Sequence, residues 1–241
     1  MKTIICKDYD EMSKKAAEII TKQVKEKPDS VLGLATGSTP IGLYKCLIEE
    51  HKENGLDFSK VKTVNLDEYV GLGEKDDQSY IYFMRDNLFN HINIKKENTH
   101  VPESNKEDLK LDTEKYNKLL DDIGTRDIQV LGIGVNGHIA FNEPDDKLNL
   151  RTSIVDLTEE TIEVNSRFFE KKEDVPTKAI SMGLEDIFDA KCIILLANGK
   201  SKKDAIDKIL NGKFVDTNFP ASLLHLHPNV VLIVDEEAYN G

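Results

Sequence analysis

The sequence predicts an α/β protein: a single domain over residues 1–241, with an open, mostly parallel sheet flanked by helices and a lid segment at about 145–177. Two observations carry this. Short apolar runs alternate with amphipathic segments along the whole chain, the pattern of parallel strands joined by covering helices. The length of 241 residues suits one large sheet better than two separate domains. A chain of this size buries roughly 70% of the surface its unfolded form exposes, so it needs no disulfide or structural metal to hold a core.

The elements follow from local pattern. Residues 31–36 read as a buried strand, and 40–53 as the helix after it. Residues 61–66 form a second strand. Residues 79–89 place Tyr80, Phe83, Met84 and Leu88 on one helical face. Further strands are expected at 128–133, 192–197 and 230–234. Between the last two, Ala205, Ile206, Ile209 and Leu210 make a helical stripe that stops at Asn211-Gly212. The polar stretches 103–111 and 170–176 read as exposed loops.

Composition narrows the function. A formal net charge of −12 argues against nucleic acid or an acidic membrane surface as partner. The same charge repels an anionic substrate. Screening limits that field to about 8–10 Å at physiological salt, so a few local cations and backbone N–H groups can still win at a site. The three cysteines, Cys6, Cys46 and Cys192, are odd in number and lack CxxC spacing, and they read as reduced thiols. The apolar run at the N-terminus is too short for a signal peptide, and no stretch reaches the roughly 20 apolar residues of a membrane span. A cytoplasmic location is expected.

Ligands of such sheets sit beyond the carboxyl ends of the strands. After the first strand comes Thr36-Gly37-Ser38-Thr39-Pro40. Gly37 permits a tight turn, Thr39 suits a helix cap and Pro40 the first helical turn, so the free N–H groups offer an anion site. No Gly-Lys-Ser/Thr follows, so this is not a nucleotide P-loop; a plain capped turn is the alternative. After the second strand, period-two alternation puts Asn65 and Asp67 on one face, with Asp67 at the strand's rim as a possible general base. A helix cap made by Asp67 or Glu68 is the alternative there.

After the strand ending at Ile133 comes Gly134-Val135-Asn136-Gly137-His138-Ile139-Ala140-Phe141-Asn142-Glu143-Pro144. Gly132, Gly134 and Gly137 match the dinucleotide fingerprint, but Pro144 breaks the chain before the long helix that a Rossmann-like cofactor site needs. The segment reads instead as a loop carrying an imidazole, which can take and give a proton near neutrality, with Asn136 and Glu143 close enough to orient it. His225 and His227 have metal-like spacing but no third ligand nearby, and read as packing or lid residues.

Together, these three segments and Asn165-Ser166-Arg167-Phe168-Phe169 resemble the glucosamine-6-phosphate deaminase family, in order from Val31 to Asp235. The resemblance implies isomerisation and deamination of glucosamine 6-phosphate to fructose 6-phosphate and ammonia, without cofactor or metal. It implies that Asp67 moves the proton between C2 and C1, and that His138 opens the pyranose ring with help from Asn136 and Glu143. Thr36, Gly37, Ser38 and Thr39 match the phosphate loop. Arg167 and one lysine of Lys200, Lys202 and Lys203 match the phosphate cations, with Lys202 favoured by its spacing after Gly199. Many members carry aspartate where Asn136 stands, so ring opening here is expected to lean on Glu143. The chain ends soon after Asp235, where longer hexameric members continue; the expectation is a monomer or small homo-oligomer without activation by N-acetylglucosamine 6-phosphate. A sugar-phosphate lactonase or isomerase of the same general fold, a non-catalytic sugar-phosphate sensor and a nucleotide-linked dehydrogenase are the competing readings.

Overall fold

A computed structural model describes residues 1–104, 108–166, 169 and 175–241. The strands are β1 (Lys2–Cys6), β2 (Val31–Leu34), β3 (Lys62–Asn65), β4 (Asp67–Tyr69), β5 (Thr99–His100), β6 (Ile128–Gly132), β7 (Ser153–Asp156), β8 (Lys178–Ser181), β9 (Ile193–Ala197) and β10 (Val230–Asp235). The α-helices are α1 (Tyr9–Glu26), α2 (Ile41–Asn54), α3 (Tyr80–Asn87), α4 (Leu109–Ile123), α5 (Glu159–Ser166), α6 (Leu184–Phe188), α7 (Lys203–Asn211) and α8 (Glu236–Asn240).

Seven strands form one parallel sheet in the order β1-β10-β9-β6-β2-β3-β5. Helices cover both faces of such a sheet, so its central strands are apolar throughout rather than alternating. All five residues of β9 are buried, as are the four of β2. From β2 the chain proceeds outward through β3 to β5, and from β6 outward the other way through β9 to β10. The direction of winding therefore reverses between β2 and β6, where open α/β sheets form a crevice.

The strands and helices expected between residues 31 and 66, and from 192 onward, lie within a few residues of their predicted bounds. Several elements escaped the sequence reading, among them β1, β4, β5, β7 and β8 and the helices α1 and α4. Helix α1 buries Met12, Ala16, Ala17, Ile20 and Val24 along one stripe and is capped by Asp8, whose side chain accepts from the Glu11 N–H. Helix α4 begins inside the stretch expected to be loop, with Asp108 as its cap. Among the described residues of the expected lid, β7 and α5 are regular; residues 170–174 of the second expected loop lie outside the described residues.

The second sheet is small and antiparallel, in the order β4-β8-β7. It corrects the reading of Asp67 as the last residue of the second strand. The main-sheet strand ends at Asn65, whose side chain is fully buried, and the chain changes sheets at Leu66, so Asp67 opens β4 opposite Ser181. Leu66 is the pivot: its carbonyl accepts from Met182 N–H at 2.8 Å, and its own N–H reaches Leu34 O at 3.3 Å.

Candidate active site

Four strand ends meet at the winding reversal. They line a cavity of about 460 Å³ that includes Thr36, Gly37, Ser38, Thr39, Asp67, Asn136, His138 and Lys202. Glu143 stands behind Asn136 and His138 and is not among the lining residues. Arg167 lies outside the described residues.

The loop after β2 turns at Gly37, whose φ of 92° favours glycine. Thr39 does not cap α2, as the sequence suggested. The residue before the helix is Pro40, with no side-chain cap, and the Thr39 hydroxyl instead donates to Asn198 Oδ1 at 3.0 Å. Tyr9, from α1, donates to the carbonyls of Ser38 and Thr39 at 3.0 and 3.1 Å and accepts the Gly42 N–H at 2.7 Å. That fixes the loop's carbonyls, while the N–H groups of Gly37, Ser38 and Thr39 have no acceptor among the described residues. Lys202 follows the turn after β9. It is half-buried with no carboxylate partner among the described residues, and burial lowers the proton affinity of its amine. Of its neighbours, Lys203 pairs with Asp207 and Lys200 is exposed. A loop of free N–H groups and an uncompensated ammonium lining one cavity can attract an anion.

Asp67 is only 7% exposed. Burial, reinforced by the neighbouring Glu68 charge, pushes its carboxyl up to about 8. Tyr69, Tyr80 and Phe141 supply an apolar wall: the Tyr69 and Tyr80 ring centres lie 4.8 Å apart, and Tyr80 stacks on Phe141 at 6.3 Å with the planes 11° apart. Glu68 turns the other way. It accepts the N–H groups of Tyr69 and Tyr80 at 2.8 and 2.9 Å and of Ile81 at 3.0 Å, and so anchors the start of α3. Burial pushes Glu68 up to about 7 against the pull of those three donors. One of the two acidic residues is thus a helix cap, as the alternative reading allowed, and the other faces the cavity.

The loop after β6 forms no helix, and the dinucleotide reading fails with it. Gly134 is required by close approach, since a Cβ there would fall 2.4 Å from Cε1 and Nδ1 of the His138 ring. Ala140 sits at a φ of 51°, a strained conformation for a residue with a Cβ. Asn142 ties the loop down, donating to Ile139 O at 3.0 Å and Met182 O at 2.8 Å. His138 Nδ1 stands 3.2 Å from Glu143 Oε2, close but not aligned, so the buried ring nitrogen makes no formed hydrogen bond. Burial raises the Glu143 carboxyl, but His138, Asn136 and Thr161 outweigh it and hold the group below the usual carboxylate range. His225 and His227 are not part of this site; their Nε2 atoms meet the carbonyls of Ile209 and Ala190 at 2.7 and 2.8 Å.

The sequence reading missed Tyr9, Asn198, Thr161 and the aromatic wall. Asn198 follows the predicted strand at 192–197, and Tyr69 and Phe141 stand in segments already singled out, so their positions were open to reading; Tyr9 and Thr161 lie in no glycine-rich turn or strand end, and local pattern holds no sign of them.

The geometry has counterparts among known proteins. The family model for glucosamine-6-phosphate isomerases/6-phosphogluconolactonase matches residues 7–233. The glucosamine-6-phosphate deaminase of Thermoanaerobacter pseudethanolicus is 56% identical over 238 residues, covering 99% of this chain and 94% of that one. That of Clostridium beijerinckii is 54% identical over 241 residues, covering 100% and 99%. A solved structure of a monomeric glucosamine-6-phosphate deaminase superposes with a TM-score of 0.95 at 47% identity, over 99% of this chain and 98% of that one. The 6-phosphogluconolactonase of Thermotoga maritima, at a TM-score of 0.75 and 20% identity, shares the fold. With a family model spanning most of its length and such relatives covering nearly all of it, the chain belongs to the glucosamine-6-phosphate isomerase/6-phosphogluconolactonase family.

Proposed function

We propose that the chain is a glucosamine-6-phosphate deaminase, converting glucosamine 6-phosphate and water into fructose 6-phosphate and ammonia in amino-sugar breakdown. One observation carries the reading: a buried carboxyl of raised pKa and a histidine backed by Glu143 share a cavity with a loop of free N–H groups. The strand order β6-β2-β3 puts the loop at 36–39 between the other two.

In this reading the loop 36–39 and Lys202 hold the phosphate, together with Arg167. His138 takes the proton of the O1 hydroxyl and returns one to the ring oxygen, breaking the C1–O5 bond; Glu143 steadies the imidazolium formed between. Asp67 then removes the proton from C2, its electrons moving to form the C1–C2 enolamine while the C1 carbonyl oxygen gains a proton, balanced by the one that the nitrogen loses as the imine forms. The same carboxyl returns the proton to C1, leaving an imine at C2. Water adds to that carbon, and the resulting carbinolamine expels ammonia, leaving the ketone of fructose 6-phosphate. A carboxylate whose basicity is raised toward the operating pH suits both halves of the C2–C1 transfer. The steps balance without a cofactor or metal.

The test is ammonia release from glucosamine 6-phosphate by wild type and by Asp67→Asn. The variant is expected to lose roughly 10²–10⁴ in kcat. For the wild type, kcat/KM should climb with pH as the free base loses its proton near 8. Equal rates in both proteins would remove Asp67 from its role, and hydrolysis of 6-phosphogluconolactone without ammonia release would replace the reading with that of a lactonase.

The free cysteines support a reducing, cytoplasmic location. Among the described residues, no helix is long and apolar enough to cross a membrane. Similarity to a monomeric deaminase supports a monomer or small homo-oligomer, which sedimentation would decide.

A further inference from the structure

Helix α5 makes a polar contact with the acid–base loop. Thr161 donates from Oγ1 to Glu143 Oε1 at 2.8 Å. The other oxygen of that carboxylate, Oε2, accepts from Asn136 Nδ2 at 2.7 Å and faces His138 Nδ1 at 3.2 Å. The last torsion of a glutamate is broad and nearly two-fold, so contacts at one oxygen leave the carboxylate free to rock. A donor on the second oxygen stops that motion. The consequence is large here, because the Nδ1–Oε2 approach already falls short of an aligned hydrogen bond and a small rotation decides whether it forms.

Thr161 is itself held. The Thr158 hydroxyl lies 3.0 Å from the Thr161 hydroxyl and also accepts the Thr161 N–H at 3.2 Å, so the first turn of α5 fixes the donor's direction. The next residue, Ile162, packs on the apolar cluster of Tyr69, Phe141 and Leu157. Helix α5 therefore stays docked through Ile162 even if the Thr161 hydroxyl is removed. The packing contact and the polar contact are separable, one residue apart.

We propose that Thr161 is a positioning residue for ring opening, its hydroxyl aligning Glu143 on His138 and so making that step depend on the docking of α5. The proposal rests on the reading of the site as a deaminase. It assigns Thr161 no contact with the reacting atoms; it acts through Glu143. Donation from Thr161 also favours the ionised carboxylate, so losing it raises the pH at which Glu143 takes up a proton.

The experiment compares wild type, Thr161→Val and Thr161→Ser on glucosamine 6-phosphate, with ammonia release followed across pH and thermal midpoints measured alongside. Valine keeps the shape and removes the hydroxyl. It is expected to lower kcat by about 10-fold, a modest share of the roughly 10²–10⁴ that a placed acid–base group supplies. KM should stay within about threefold, since Thr161, although it lines the cavity, acts through Glu143 in this proposal. The acid limb of kcat should move to higher pH. Serine, which restores the hydroxyl, should return both kcat and the limb toward wild type. A valine variant with wild-type kcat and pH profile overturns the proposal. So does a loss confined to KM, or a serine variant as impaired as valine. Wild-type protein that releases no ammonia overturns the deaminase reading itself, whereas an active wild type with an unaffected valine variant overturns only the role of Thr161.

Discussion

Asn136 works in two directions at once. Its Nδ2 donates to Glu143 Oε2 at 2.7 Å, and its Oδ1 accepts the His138 backbone N–H at 3.1 Å. It therefore orients the carboxylate and the loop rather than the imidazole ring. An aspartate can accept from the His138 N–H but cannot donate to Glu143. In Asn136→Asp the two carboxylates would meet at hydrogen-bond distance, and like charges that close cannot both ionise easily. The expected result is an acid limb of kcat displaced to higher pH and turnover at neutral pH reduced by about 10-fold. Glu143→Gln tests the partner, because it keeps an acceptor but removes the charge that, in the proposed mechanism, steadies the imidazolium; turnover should fall by about 100-fold. An unchanged pH–rate profile in the first variant, or unchanged turnover in the second, would show that the charge of this carboxylate does not govern ring opening.

Between elements, Asp127 joins pieces far apart in sequence. Oδ2 accepts from Lys27 Nζ at 2.7 Å and from the Val31 N–H at 2.9 Å, and Oδ1 from Lys191 Nζ at 2.9 Å. It thereby binds the residue after α1, the first residue of β2, the start of β6 and the turn into β9. Burial opposes the charge on Asp127, but the lysines and the backbone donor prevail and hold the carboxyl below its usual range. A carboxyl depressed on folding stabilises the fold above its unfolded value, about 3.9, and loses that contribution as pH falls through its folded value. Asp127→Asn should cost about 1–3 kcal/mol at neutral pH, with the buried Val31 N–H contact weighing more than the two partly exposed lysines. Near pH 3 the deficit should shrink, since the wild type is itself becoming protonated. Urea unfolding at both values checks this, and an equal deficit at each would mean the charge is irrelevant. Such ties also mark what the sequence hides. The strands and the glycine turns announce themselves through apolar runs and breakers, which are local. The change of sheet at Leu66, the support of Tyr9 under the loop at 36–39 and the reach of Thr161 to Glu143 are turns in the chain's path or pairings between residues 18 to 33 apart, and no local spacing encodes them. Helix α1 is different: its apolar stripe from Met12 to Val24 was there to be read from periodicity alone.

For the whole molecule, the fold answers a problem set by its charge. With a net −12, the protein's long-range field opposes the approach of a phosphorylated substrate. The winding reversal between β2 and β6 gathers the free N–H groups of residues 37–39 with Lys202 in one crevice, so attraction is confined to the last few ångströms. The two fields respond differently to salt. The Debye length falls from about 30 Å at 0.01 M to about 8 Å at 0.15 M, which removes most of the global repulsion. A direct contact between phosphate and the half-buried Lys202, as the proposed reading has it, is screened far less. Raising sodium chloride from about 0.01 to 0.15 M should therefore leave KM for glucosamine 6-phosphate unchanged or lower it by about twofold, with kcat constant. An enzyme that attracts its anionic substrate through a long-range positive field would show the reverse, a KM rising steeply with salt. Initial rates over that range, in a buffer free of phosphate and sulfate, distinguish the two, and a steep rise would place the attraction in the overall field rather than in the crevice.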